Sequence, residues 1–121
     1  MTADKAIHRW LNTFGLPFYP VSAVPGKADV PYGTYELTLG AWDTGQSSLV
    51  LNLWYRTESE SEPNAKAMEI AGTVGLGGIV LPCDQGAVWV KRGSPFCQSI
   101  AVPGEKATKR RYINLTTEFF M

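Results

Sequence analysis

The stretch SLVLNLWYR, residues 48–56, gives the clearest indication of the fold. Its apolar side chains recur with the two-residue period of a β-strand. One face of this strand carries Leu49, Leu51, Leu53 and Tyr55. The opposite face combines Val50 and Trp54 with Asn52 and Arg56, so neither face is plainly a water face. We therefore predict a strand that packs in the core on its first side and presents an unusual surface on its second.

The segments on either side of this strand predict a hairpin and a helix. Residues 34–39 read as a strand, and AWDTGQ at 41–46 supplies the turn that joins the two. On the other side, the acidic run TESESE at 57–62 precedes Pro63, where we expect a helix to begin. The glycine-rich GLGG at 75–78 ends that helix.

The N-terminal part predicts a short amphipathic helix followed by a loop. Ile7, Trp10, Leu11 and Phe14 have the spacing of one helical face, so the helix should span residues 3–14. The following residues 16–33 contain four prolines, and we expect an ordered loop there.

The C-terminal third predicts three more strands. Residues 79–83 and 87–91 flank the tight turn DQG, and residues 111–119 alternate as a last strand. Between them, residues 93–109 read as a long irregular loop, a feature that is often functional.

Together these elements predict one α+β domain over residues 1–121, in the order α-β-β-α-β-β-β. Its two helices would pack on one face of a largely antiparallel sheet of four to five strands. Two helices cover one such face, so apolar groups on the other should stay exposed and mark a partner contact. The predicted interface residues are Val50, Trp54, Trp89, Lys91 and Arg92.

Charge and composition exclude several function classes. Eleven basic and eleven acidic residues leave no net charge, which disfavours a dedicated binder of nucleic acid or of anionic membranes. No apolar run approaches the roughly 20 residues of a membrane span, and the N-terminus does not resemble a signal peptide. We expect a soluble protein with no membrane partner.

Two basic groups, Lys91-Arg92 and Lys109-Arg110-Arg111, flank the segment 93–109. Such a basic cluster has three possible roles. It could face passing DNA and contact it electrostatically without reading its sequence. It could equally supply the edge-strand charges that block aberrant pairing. A third reading pairs these basic groups with the acidic run 57–62 of a neighbouring subunit.

The sequence offers little catalytic or metal-binding chemistry. Cys83 and Cys97 are too far apart for a close zinc-binding pair, and the only histidine, His8, lies on the first helix. A strand separates the two cysteines, so a disulfide is disfavoured and two reduced thiols are expected. We predict no catalytic residue, no cofactor, no metal and no enzymatic activity.

Four segments resemble a known family: IHRWLNTFGLPFYP (7–20), PYGTYELTLGAWDTGQSSLVLNLWYRTES (31–59), NAKAMEIAGTVGLGGIVLPCDQGAVWVKRGSPFCQ (64–98) and RRYINLTTEFF (110–120). They are similar to the tail terminator or tail completion proteins of long-tailed bacteriophages and prophages, in the order of elements and in phrases such as LNLWYR and VWVKRGSPF. The resemblance implies a structural virion protein that forms a ring, expected to be a hexamer, on the end of the tail tube.

Such a ring would stop tail polymerisation and prepare the head-tail joint. The implied partners are further copies of the chain, the tail tube protein, the head connector protein and, non-specifically, DNA passing through the ring. The implied location is the tail or neck of the virion, assembled in the cytoplasm of a bacterial host. Two alternatives stay open: a head-tail connector or minor capsid protein of the same assembly, and a small protein-binding module without enzymatic activity.

Overall fold

The structure, a computed structural model, describes residues 1–39, 46–84, 86–102, 104 and 107–120. Its helices are α1 (Ala3–Leu11) and α2 (Ser61–Val74), with short 3₁₀ turns at Asn12–Phe14 and Val21–Ala23. Its strands are β1 (Phe18–Pro20), β2 (Tyr32–Leu39), β3 (Gln46–Arg56), β4 (Ile79–Cys83), β5 (Gly86–Ile100) and β6 (Thr108–Phe120).

The described strands form one curled, mixed sheet of six strands in the order β1-β2-β3-β6-β5-β4. Strand β1 runs parallel to β2, and every other neighbouring pair is antiparallel. The last strand, β6, lies in the middle, with Leu51 of β3 opposite Ile113 and Ile113 opposite Cys97 of β5. Strand β6 therefore joins the two halves of the sheet.

The predicted strand number and element order were wrong, and β1 is the first reason. Residues 16–33 were expected to be a loop because of their prolines, but Phe18–Pro20 pairs with Gly33–Tyr35 at the edge of the sheet. An edge strand tolerates proline because one side of its backbone makes no ladder hydrogen bonds. The sheet therefore gains a parallel strand, and the chain order becomes α-β-β-β-α-β-β-β.

The length of β5 is the second departure. We expected the strand to end at Lys91 and an irregular loop to span 93–109, but β5 continues to Ile100. Its pairing with β6 shifts between Arg92 and Cys97. This shift is a bulge, in which Gly93 and Pro95 interrupt the pairing without ending the strand. The predicted turn at 41–46 lies, except for its last residue, outside the described residues, as does Gln85 of the predicted DQG turn.

The core lies between the sheet and both helices. Its fully buried side chains come from one face of β3, β5 and β6 and from the inner faces of α1 and α2; they include Ile7, Leu11, Leu49, Leu51, Leu53, Ile70, Val74, Val88, Val90, Ile113 and Leu115. Helix α1 contacts both β1 and β4, the two edge strands, because the sheet curls around it. This packing explains why α1 buries Trp10 against Phe14, whose rings are 5.3 Å apart at a steep angle.

Candidate functional site

The opposite face of the sheet, here called the open face, is covered by neither helix. Alternation along the strands puts Val50 and Trp54 of β3, Trp89 and Lys91 of β5 and Arg110 of β6 on this face. All five side chains are half-buried rather than enclosed. The open face therefore carries an unusual amount of aromatic surface for a face in contact with water.

One end of the open face, here called the apolar end, consists of Leu76, Val80, Trp89 and Phe120. Val80 pairs with Trp89 across β4 and β5, and the Trp89 and Phe120 rings stack with centroids 6.1 Å apart. Val80 is 57% exposed and Phe120 48% exposed. Leu76 is 98% exposed in the turn between α2 and β4. These four side chains form a patch of apolar surface at one corner of the sheet.

The turn that carries Leu76 is held in place by hydrogen bonds. Trp89 Nε1 donates to the carbonyl oxygen of Gly77 at 2.8 Å, and the Gly75 amide donates to the Ala71 carbonyl at 2.9 Å. Gly78 has a positive φ of 84°, which favours glycine. Leu76 is thus presented to solvent from a defined backbone conformation.

The charges near the apolar end neutralise each other. Lys91 Nζ lies 3.5 Å from a carboxylate oxygen of Glu118 and 4.2 Å from the centre of the Trp89 ring. The ammonium group therefore has both an ion-pair partner and an aromatic face. This end combines exposed apolar surface with no unpaired charge among these residues.

The other end, here called the arginine end, consists of Tyr19, Tyr32, Trp54, Arg56 and Arg110. Tyr32, Trp54 and Arg110 are aligned in one row across β2, β3 and β6. The Tyr19 and Tyr32 ring centroids are 6.0 Å apart, and the Arg110 guanidinium lies 5.1 Å from the centre of the Trp54 ring. The arginine end therefore combines aromatic and cationic groups.

One of the predicted interface residues, Arg92, does not share the open face with the tryptophans. Arg92 lies on the helix-covered side, where its Nε and Nη2 donate to the Ala71 carbonyl at 3.2 and 2.7 Å. A cation at the C-terminal end of α2 satisfies a carbonyl and complements the helix dipole. Val50 lies on the open face between the two ends, opposite Glu36 and Asn114.

The basic run Lys109, Arg110 and Arg111 is divided between the two faces of β6. Arg111 is buried, 3% exposed, and its Nε and Nη2 donate to Asn64 Oδ1 at 3.1 and 3.0 Å. Its Nη2 also donates to a Glu60 carboxylate oxygen, and Lys109 Nζ lies 3.6 Å from the other. Only Arg110 belongs to the open face, so the three residues do not form one patch.

Glu60 shows where part of the acidic run 57–62 is used. The hydrogen bond from Arg111 holds the pKa of the Glu60 carboxyl below its ordinary value, with further help from the charges of Arg111 and Lys109. This pairing lies within one chain, whereas the sequence had suggested a pairing between subunits. Glu58 and Glu62 have no ion pair among the described residues.

The cysteines and the histidine occupy separate sites. Cys83 at the end of β4 and Cys97 in β5 are free thiols and half-buried. Burial raises the pKa of the Cys97 thiol, which keeps it in the less reactive protonated form. The ring of His8, on the exposed side of α1, forms a 3.0 Å hydrogen bond with the hydroxyl of Tyr35 in β2.

A cleft of about 540 Å³ lies between Glu60, at the start of α2, and residues 99–102, 104, 108, 109 and 111. Its charged lining residues are Glu60, Lys109 and Arg111, which pair with one another as described above. Among the described residues, no three His, Cys, Asp or Glu side chains lie close enough to hold a metal ion. No helix in the described part of the chain is long and apolar enough to cross a membrane.

Sequence reasoning missed several open-face residues. Tyr19 and Tyr32 were assigned to a loop, although Phe18 and Tyr19 are strand-forming residues between two prolines. Leu76 was treated as part of a helix stop, although it is the one apolar residue among three glycines.

Comparison of the chain with protein-family models, with curated proteins and with solved structures finds no match.

Proposed function

We propose that this chain is a structural, non-enzymatic protein of a long-tailed phage or prophage that assembles into a ring and caps the tail tube. The observation that carries the proposal is the apolar end of the open face, where exposed Leu76, Val80 and Phe120 lie with the half-buried Trp89. Exposed apolar clusters of this kind mark contacts with other proteins. The sequence resemblance to tail terminator proteins supplies the identity of the assembly.

Ring formation requires that one surface of a subunit bind a different surface of its neighbour. Such a head-to-tail contact closes when the rotation between subunits divides a full turn, and a closed ring cannot continue to grow. The apolar end would be one half of this contact. Full burial of a Val, Leu or Phe side chain is worth about 1.5–3 kcal/mol, so burial of the exposed Leu76, Val80 and Phe120 would stabilise the contact.

The fixed conformation of the Leu76 turn favours this role. A turn whose backbone is ordered before binding loses less conformational entropy when it contacts a partner. Trp89 contributes twice, since its indole holds the Gly77 carbonyl and its ring stacks on Phe120. The proposed ring, expected to be a hexamer, would bind the tail tube on one side and the head connector on the other, with DNA passing through it.

The test is the solution mass of the purified protein over a range of concentrations, measured by light scattering after size exclusion. We expect a discrete oligomer for the unaltered chain and a monomer for Val80→Asp, because a charge there would have to be buried in the contact. The matched control is Met68→Asp, which alters a similarly exposed apolar residue on α2 and should leave the oligomer intact.

Binding to isolated tail tubes provides the second readout, because ring formation could depend on the tube. Wild-type protein should bind the tube ends and stop their elongation, and Val80→Asp should do so less. A strict monomer that also fails to bind tube ends would refute the proposal. Binding to the head connector alone would favour the connector alternative.

A further inference from the structure

The arginine end carries hydrogen-bond donors that have no partner among the residues the structure describes. The Arg56 guanidinium makes no ion pair or hydrogen bond among the described residues, and Arg110 uses only its Nε, which donates to Asn52 Oδ1 at 2.8 Å. The Nη1 and Nη2 groups of Arg110 are left for a ligand. A guanidinium binds phosphate well because it offers several donors in a fixed plane.

Among the described residues, neither arginine has an acidic ion-pair partner, and Glu36 of the open face lies two rows away from the row of Trp54 and Arg110. The row containing Trp54 and Arg110 continues to Tyr32 and Ile100, and the next row contains Thr34, Asn52, Tyr112 and Gln98. The apolar end differs, because Lys91 there is paired with Glu118. The charge of the arginine end therefore fits an anionic ligand.

The aromatic residues narrow the chemical class of that ligand. Tyr19, Tyr32 and Trp54 are half-buried and lie on three adjacent strands, followed by Arg110 on the fourth. Tyr19 is in register with Thr34, one row away from Tyr32, and the group spans about 14 Å across four strands that lie about 4.8 Å apart. Aromatic side chains across the open face of a sheet can stack two or three unpaired bases.

We infer that the arginine end binds a short stretch of single-stranded nucleic acid. Bases stack on Trp54 and on the tyrosine pair, and the phosphates between them bind Arg56 and Arg110. A duplex would offer its phosphates but not its base faces, and an acidic peptide would leave the aromatic rings unused. Only a single strand matches both the aromatic and the cationic groups.

The site is partly organised before a ligand binds. Asn52 fixes the Arg110 guanidinium on one side, and the Trp54 ring lies beside it. The neutral net charge of the chain limits the long-range attraction, so the affinity depends on these local contacts. The inference does not depend on the proposed ring, because every residue involved belongs to one chain.

The test is fluorescence anisotropy with a labelled oligothymidine of about 12 nucleotides, a length within the site sizes of single-strand binders. We expect saturable binding that weakens with salt, with a slope of log affinity against log salt near −1.4 for two phosphate contacts at about 0.7 each. A labelled duplex of the same length should bind at least about fivefold more weakly, because its bases are not available for stacking.

Variants separate this site from general stickiness. Trp54→Leu should lower the affinity about tenfold, and Arg56→Gln and Arg110→Gln should each lower it and reduce the salt slope. The matched controls are Trp89→Leu, at the apolar end, and Arg9→Gln, an exposed arginine of α1. Neither control should change binding. Arg56 is exposed and its side chain makes no ion pair or hydrogen bond with the described residues, so its variant tests the inference without altering the fold.

Three results would overturn the inference. The first is no binding at low salt. The second is equal affinity for duplex and single strand with no effect of Trp54→Leu, which would indicate phosphate attraction alone. The third is displacement of the oligonucleotide by polyglutamate at equal charge concentration, which would identify the site as one for acidic protein segments. Repeating the titration with the Val80→Asp variant, which we expect to be monomeric, shows whether oligonucleotide binding depends on oligomerisation.

Discussion

The two ends of the open face are built from the same kinds of residue but differ in how their charges are satisfied. At the apolar end, Trp89 is surrounded by Val80 and Phe120, and the nearby Lys91 is paired with Glu118. At the arginine end, Trp54 lies beside Arg110, whose terminal nitrogens have no partner in the described chain. The kind of partner that a tryptophan on a sheet face can bind therefore depends on the residues around it.

The indole nitrogens of the two tryptophans also differ in whether they have a hydrogen-bond partner. Trp89 donates to Gly77 and thereby joins the sheet to the turn after α2. Trp54 Nε1 has no hydrogen-bond acceptor among the described residues. Trp89 is therefore part of the scaffold as well as of the surface, whereas Trp54 belongs to the surface.

The largest effect is expected from breaking the apolar end at its turn. A Cβ atom at Gly78 would lie 2.5 Å from Trp89 Nε1 and 2.6 Å from the Val90 carbonyl oxygen, in a backbone with a φ of +84°. Gly78→Ala should therefore lower the free energy of unfolding by about 2–4 kcal/mol, measured by urea titration.

Gly77→Ala is the matched control, because a Cβ there meets nothing within 4 Å. It should change the free energy of unfolding by less than about 0.5 kcal/mol. In the folded fraction of Gly78→Ala, oligonucleotide binding at the arginine end should persist. Equal stability of the two variants would show that the turn is not held as described.

A smaller effect is expected from removing one indole N–H at each end. Trp89→Phe keeps an aromatic ring but loses the hydrogen bond to Gly77, which should cost about 1 kcal/mol of unfolding free energy. Trp54→Phe loses no such bond and should cost less than about 0.5 kcal/mol. If the two substitutions cost the same, the distinction between scaffold and surface tryptophans would be wrong.

The smallest effect is expected from Glu60, whose side chain is 55% exposed, so that solvent screens its charge. Because its pKa is lowered in the folded state, its ionised form stabilises the fold above its ordinary pKa of 4.5. That contribution disappears as the pH falls through the lowered value. Glu60→Gln should therefore be less stable than wild type at neutral pH, and the difference should shrink below about pH 4.5.

Glu58→Gln is the control for the loss of one carboxylate from the same acidic run, since Glu58 has no ion pair among the described residues. A stability difference for Glu60→Gln that does not shrink in acid would contradict the pairing of Glu60 with Arg111.

The sequence predicted the parts of the fold that have a clear period. The alternation in residues 48–56 identified the buried face of β3 correctly, from Leu49 to Tyr55. The same reasoning could not find β1, because three residues between prolines have no period to detect. It ended β5 too early, because Gly93 and Pro95 are typical both of a loop and of a bulge.

The candidate site was predicted only in part, because its character depends on tertiary neighbours. Alternation placed Val50, Trp54 and Trp89 on the same side of the sheet, as the structure does. Nothing in the sequence indicated that Arg92 would cap α2. The burial of Arg111 had a signal, since it shares the alternation of Ile113 and Leu115, but its partner Glu60 is brought near only by the packing of α2.

The division of three consecutive cations between the two faces of β6 has a consequence for folding. If β6 were displaced by one residue against β3, Arg111 would turn to the open face and lose its hydrogen bonds to Asn64. The same displacement would turn Ile113 and Leu115 to the open face and bring Asn114 and Thr116 into the core, where polar side chains are costly to bury. Alternation along β6 thus rejects misaligned pairing of the strand that joins the two halves of the sheet.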